Sequence, residues 1–368
     1  MKNVSKNDLQ ESYNPLDWTG TPQELGYFND IYPWIDQLPN KKIYLALWRS
    51  NADLELPENF DYYIIIYHNE PVDLVWLEEQ QKRTDGRFYV LMPRKNYDIT
   101  LPGITFFRYY AWDYDCAKTL RWFPGIEPRK IKYKYSAICN RASQSKVWIT
   151  TKLLETAKEQ SLIVLNDWIE EKNVHNWIPT GNSTLDNLTN IFRDKWEGIK
   201  LTDEYENELN HQRINSNPWQ PAYINTALHF NNGGFHYSLM QNPNGTYFTH
   251  PGPEVCEKTI KCLISATPFI NCNQFDTYKT LEEFGMQFDY GFDLTWENDP
   301  GNITRFKKII DLIDDLNENF SAKQIDAQTK ESCLHNQNHI LSGGLHRACQ
   351  TVRNETIELL IEELQNED

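Results

Sequence analysis

A chain of 368 residues is too long for one ordinary hydrophobic core, and its formal net charge of −16 repels polyanions at range, so two domains are expected and non-specific nucleic-acid binding is disfavoured. Apolar residues make up 40% of the chain and aromatic residues 13%, which excludes extensive disorder. No run approaches the roughly 20 apolar residues of a membrane span, the opening MKNVSKNDLQESYNPLDW has no apolar signal stretch, and the scattered cysteines form no CxxC pair, so a cytoplasmic chain with reduced thiols, no membrane insertion and no zinc site is expected.

Lys42 to Trp48 reads as a strand, and Tyr62 to Tyr67 as a second, apolar without alternation and therefore buried on both faces. Pro71 then opens a helix to Gln81 carrying Val72, Leu74, Val75, Trp76 and Leu77, which makes a βα unit. Arg87 to Met92 and Ile104 to Tyr110 are further strands. Phe123 to Pro128, with two prolines and a glycine, is the expected linker. Around it Arg121, Arg129, Lys130, Lys132 and Lys134 lie among Trp122, Phe123, Tyr133 and Tyr135, either a solvated linker face or a local patch for nucleic acid.

Beyond the linker, Tyr135 to Cys139 reads as a strand, Ser145 to Lys158 as a helix and Leu162 to Leu165 as the next strand. Glu170 to Gln220 is polar and carries no functional reading. Tyr223 to Leu228 is expected as a strand, Glu257 to Ala266 as a helix, Pro268 to Ile270 as a short strand and Tyr278 to Phe284 as a helix. Ile303, Phe306, Ile309, Ile310, Ile313 and Leu316 share one helical face, and Leu345 to Leu364 is a long closing helix. The alternation of strands and helices gives an α/β class. Residues 1–130 form the first expected domain, 131–334 the second, and 335–368 helices packing back across both.

Glu257-Lys258-Thr259 opens its helix just after His250-Pro251-Gly252, where unpaired backbone amides and a lysine suit a phosphate or a ribose. A capped surface helix explains the same spacing. Asp113-Tyr114-Asp115 has the DxD spacing of a metal–diphosphate site, and Asp113 alone would suit an acceptor contact. His229, Asn231, Asn232, Gly233, Gly234 and His236 form a polar turn able to meet a sugar or a base, or a plain β-turn.

The segment Glu257-Lys258-Thr259, Lys261, then Ala266-Thr267-Pro268-Phe269-Ile270 resembles E-K-T-x-K-P-I-x-A-G-x-P-F-I of fucosyltransferase-like and viral (phage) nucleotide-sugar glycosyltransferases. Leu281 to Asp289 is similar to the family's L-x-x-L-G-F-x-T-F-D. Arg305 with the helix to Leu316, and Leu334-His335-Asn336, look like its R-x-x-x-I and K-H-N segments. Cys262 stands where the family has proline, which bears on donor identity. Ile138-Cys139-Asn140-Arg141 and Ser145-Lys146-Val147-Trp148 resemble the family's strand, arginine-bearing loop and helix.

The resemblance implies a GT-B fold, in which two Rossmann-like domains face each other across a cleft, and a metal-independent enzyme, a hexosyl- or pentosyltransferase, with a UDP- or GDP-sugar as co-substrate and no cofactor. By the same match Arg141, Lys146, Glu257, Lys258 and Thr259 would bind the donor. The catalytic base would come from the first domain, where Glu70, with His68 second, follows a buried strand and leads into a helix. The implied acceptor is a hydroxymethylated base of viral (phage) DNA, with the chain then in the host cytoplasm; a glycan or saccharide acceptor, or a non-catalytic binding protein of the same shape, are the alternatives.

Overall fold

The computed structural model describes residues 31–35, 42–48, 55–67, 74–92, 101–110, 126–139, 144–165, 179–195, 221–231, 255, 257–272, 276–299 and 302–366. The chain forms two compact units, one of Met1–Trp112, Gln241–Gly252 and Ala348–Asp368, the other of Asp113–Met240 and Pro253–Arg347. The first contains α1 (Tyr32–Ile35), β1 (Ile43–Trp48), β2 (Tyr62–Tyr67), α2 (Leu74–Thr84), β3 (Arg87–Met92) and β4 (Ile104–Arg108). The second contains β5 (Tyr133–Cys139), α3 (Gln144–Thr156), β6 (Ser161–Leu165), α4 (Ser183–Lys195), α5 (Pro221–Ile224), β7 (Thr226–Asn231), α6 (Glu257–Ile264), β8 (Phe269–Asn271), α7 (Thr277–Glu283), α8 (Asn302–Asn319) and α9 (Ala322–Leu341). A last helix, α10 (Gly344–Asn366), starts in the second unit and belongs to the first from Ala348 onward.

In the first unit four parallel strands pair in chain order, β1-β2-β3-β4. Right-handed crossovers between strands in that order all lie on one face of the sheet, so the other face must be covered from elsewhere. On one face Tyr63, Ile65, Phe88 and Val90 pack against Trp76 and Leu77 of α2. On the other, Tyr62, Ile64, Ile66, Tyr89 and Leu91 meet Ile357, Leu360 and Leu364 of α10. Burial on both faces is why β2 reads as an apolar run. The cation of Arg353 on α10 sits 4.8 Å over the Tyr109 ring, and Thr356 donates to the Arg108 carbonyl, which ties the helix to the end of β4.

In the second unit the four parallel strands run β6-β5-β7-β8, so the order reverses between β5 and β7. The crossovers before and after that reversal fall on opposite faces. One face is apolar: Ala137, Leu228, Phe230 and Ile270 pack with Trp148, Ile149 and Leu153 of α3 and Phe306, Ile309 and Ile313 of α8. The Trp148 and Phe306 rings meet edge to face, with centroids 5.3 Å apart. The other face carries α6 and α9, which pack on each other and on β7.

Two expectations change here. The strand expected at Tyr223 to Leu228 begins later, at Thr226, because Pro221–Ile224 is a helical turn whose Ala222 carbonyl accepts from the Thr226 hydroxyl at 2.9 Å. Helix α9 starts well before the helices expected over 335–368, since its buried face carries Thr329, Ser332, Asn336 and Gln337 and so lacks an apolar stripe. Its capping box, Ser321 with Gln324, was nonetheless present in the sequence. The unit boundary at Trp112 and the expected boundary at residue 130 both fall between β4 and β5.

Truncating Phe306 to alanine removes the ring that fills the α3–α8 contact, and should cost about 3–5 kcal/mol. Urea unfolding followed by tryptophan fluorescence measures this; a loss under about 1 kcal/mol would mean that Trp148 repacks without its partner.

Candidate functional site

Open parallel sheets bind ligands beyond the carboxyl ends of the strands, in the crevice where strand order reverses. Among the described strands the first sheet has no reversal, and the second has one between β5 and β7. The site residues of the second unit are best followed from that edge.

Since β5 and β6 are parallel, α3 returns antiparallel to them, and its first turn lies at the carboxyl end of β5. Lys146 sits in that turn with its side chain 9% exposed. By the same argument α6, between β7 and β8, begins at the carboxyl edge with Glu257, Lys258 and Thr259. Two helix N-termini, each with a lysine in its first turn, therefore open on one sheet edge, an arrangement suited to an anion.

Two segments that the sequence reading treated separately come together there. The side-chain amide of Asn231, the last residue of β7, donates to Thr259 Oγ1 at 2.7 Å, with both residues fully buried. His229, two residues earlier and also fully buried, feels the Lys258 charge: burial first, and then that ammonium, push its pKa down to about 3. Its Nδ1 lies 2.8 Å from Ser136 Oγ. The pair resembles a nucleophilic dyad, but the Ser136 hydroxyl is buried and donates to the Ala222 carbonyl at 2.5 Å, so it belongs to the core.

A second buried polar group closes the carboxyl end of β8. The Glu297 carboxylate, on a residue 2% exposed, accepts the backbone amides of Thr277 and Tyr278 at the start of α7, and the Asn271 amide at 3.3 Å. Burial raises its pKa to about 8 against those donors, and the nearby Arg305, itself buried, is lowered by desolvation to about 10. Nothing in the spacing around Trp296-Glu297-Asn298 marked this carboxylate, since a lone acidic residue in a polar stretch looks solvated. Arg305, singled out by resemblance, lies beside it.

Other residues singled out in the sequence take different places. His335-Asn336, matched to the K-H-N segment, act from α9 as a clamp on backbone. His335 Nε2 meets the Gly285 carbonyl at 2.9 Å, and Asn336 pairs with both the amide and the carbonyl of Gln287 at 2.7 Å. His339 Nε2 meets the Phe284 carbonyl at 2.8 Å, and its ring occupies the space that a Cβ at Gly285 (φ +91°) would need. The expected basic patch is thinned: Arg129 turns inward to Asp326 at 2.6 Å and to the Thr226 carbonyl, and Lys134 is buried on the Leu316 carbonyl at 2.7 Å, at the end of α8.

Glu70, His68, Asp113, Asp115, Arg121, Arg141 and His236 lie outside the described residues, as does the side chain of Glu257. Among the described residues no group of three or more His, Cys, Asp or Glu side chains lies together, and no helix is long and apolar enough to cross a membrane. Cys262, Cys272, Cys333 and Cys349 are buried and outside any disulfide. Comparison of the chain with protein-family models, with curated proteins and with solved structures returns no match.

A carboxyl that stays protonated in the folded state to about pH 8, but ionises near its ordinary 4.5 when unfolded, makes stability fall as pH rises across that window. Wild type should therefore lose on the order of 2–4 kcal/mol between pH 5 and 8.5 relative to Glu297→Gln, whose neutral amide can still accept the α7 amides. Urea titrations of both proteins across that range check this; parallel pH profiles would show that Glu297 is ionised in the folded chain.

Proposed function

We propose that this protein is a glycosyltransferase of GT-B type that moves a sugar from a UDP- or GDP-sugar to a hydroxyl acceptor. The observation that carries the reading is that the first turns of α3 and α6, with Lys146, Lys258 and Thr259, open on one carboxyl edge beside a strand-order reversal. A leaving diphosphate needs charge compensation fixed in place before the bond breaks, and helix amides with lysines supply it. Glu257 would bridge the ribose hydroxyls, Lys258 and Thr259 would hold the phosphates with Arg141 and Lys146, and Glu70, with His68 as the second candidate, would take the acceptor proton. Asp113 and His236 remain candidates for acceptor or sugar contacts. A parallel sheet in each unit supports a Rossmann-like pair, and the agreement of roughly Glu254 to Asn336 with the family's motif order adds to it.

Of the two acceptors that the resemblance implies, a saccharide suits the chain better than a hydroxymethylated base of DNA. The net charge is −16, and two of the five cations around the linker, Arg129 and Lys134, are spent on internal partners.

Thermal unfolding with UDP, GDP and their sugars provides the test. A ligand at about 100 times its dissociation constant should add roughly 2.7 kcal/mol of stability. Lys258→Ala should weaken binding of that nucleotide about tenfold or more, the loss of a charge-assisted contact, without lowering the melting temperature of the free protein. Transfer assays then compare saccharide acceptors with DNA carrying hydroxymethylcytosine. A wild type that no nucleotide stabilises would sink the reading; transfer to the modified DNA alone would reverse the choice of acceptor.

A further inference from the structure

Two neighbouring strands of the second sheet end in the same way. Asn231 closes β7, Asn271 closes β8, and the parallel register sets the two side by side. Both are fully buried. Each is tied to the start of the helix that follows its own strand. The Asn231 side-chain amide donates to Thr259 Oγ1, in the first turn of α6, at 2.7 Å. The Asn271 side-chain amide meets, at 3.3 Å, the Glu297 carboxylate that accepts the backbone amides of Thr277 and Tyr278, the first two residues of α7.

Stability alone does not call for such pairs, since an apolar pair of the same shape can hold a helix on a strand about as well. The rest of α6 buries apolar groups in that ordinary manner, with Ile260, Leu263 and Ile264. A hydrogen bond adds direction, because it is well made at only one rotation and height of the helix. The Thr259 side chain is fully buried and turned to the strand beneath, so what this residue can present at the edge is its backbone amide. We propose that Asn231 is a positioning residue of the donor site. Acting through the Thr259 hydroxyl, it sets the rotation of the first turn of α6, and with it the backbone amides and the lysine, Lys258, that meet the diphosphate. The Thr259 side chain itself makes no contact with the ligand. An anion held at a helix start depends on this placement, because its donors must be aimed before the charge arrives. This inference rests on the nucleotide-sugar reading above.

Calorimetric titration with inorganic pyrophosphate, UDP and GDP tests it in wild type, Thr259→Ser, Thr259→Val, Asn231→Ala and the double variant Asn231→Ala, Thr259→Val. Titrations are made well below each melting temperature, where a loss of stability alone leaves the affinity of the folded protein unmoved. Thr259→Ser keeps the hydroxyl and should bind as wild type does. Thr259→Val and Asn231→Ala should each lose about tenfold in affinity for whichever probes the wild type binds. The double variant should lose no more than either single one, since two residues that act as a unit are not additive. If Asn231→Ala does not fold, Asn231→Leu, which keeps the branched shape, takes its place in the cycle. A hydroxyl that touched the phosphate directly would show as a further loss when Thr259→Val is added to the Asn231 variant, and would overturn the inference. Wild-type affinity in both single variants would overturn it too, as the mark of a pair that serves stability only. Either result leaves the donor site standing. A wild type that binds none of the three probes overturns the nucleotide-sugar reading and this inference with it.

Discussion

Parallel pairing obliges each strand of the second sheet to be followed by a segment that runs back along the sheet before the next strand can begin. That return gathers the helix starts at one edge, and the reversal of order between β5 and β7 sends the returning helices to opposite faces. The positions of Lys146 and Lys258 follow from this constraint. They lie far apart in the chain, in helices that do not share a face, and they reach a common edge because β5 and β7 are neighbours.

The two faces of that sheet have different chemistry. The α3–α8 face is packed with aromatic and aliphatic groups around Trp148 and Phe306, as an ordinary core requires. The α6–α9 side carries Ser136, His229, Asn231 and Thr259, fully buried and joined by hydrogen bonds. Buried polar groups of this kind restrict how α6 can sit, because a shift would leave Asn231 and Thr259 unpaired in a medium that penalises it. Helix α9 adds to the restriction from outside, with Gln337 donating to the Ile264 carbonyl at 2.6 Å, at the end of α6, and with Ser332, His335, Asn336 and His339 on the backbone between Phe284 and Asp289. Helix α6 is thus held at its start by Asn231 of the strand beneath it and at its end by Gln337 of the helix beside it.

The first unit answers a different problem. A sheet whose strands pair in chain order has one face left over, and α10 covers it with Ile357, Leu360 and Leu364. This makes the last stretch of the chain part of the core of its first unit, while the Arg353 cation over Tyr109 gives the helix a specific anchor at the carboxyl end of β4.

Local patterns determined most of the elements by themselves. The apolar runs of β2 and β3 and the stripe of α8 are short-range features, visible because hydrophobic period acts over a few residues. The helix start at Glu257 and its lysine were legible for the same reason, and so was the polar character of His229 and Asn231. Strand order was not, since a parallel pair joins residues distant in the chain through backbone groups common to every sequence. Only the tertiary structure therefore decided that Asn231 bonds Thr259, that α10 belongs to the first sheet, and that Glu297 is a buried carboxyl. Helix α9 escaped the pattern because its buried side carries polar groups, and the partners that make such burial tolerable come from segments some fifty residues earlier in the chain, such as Gln287 for Asn336.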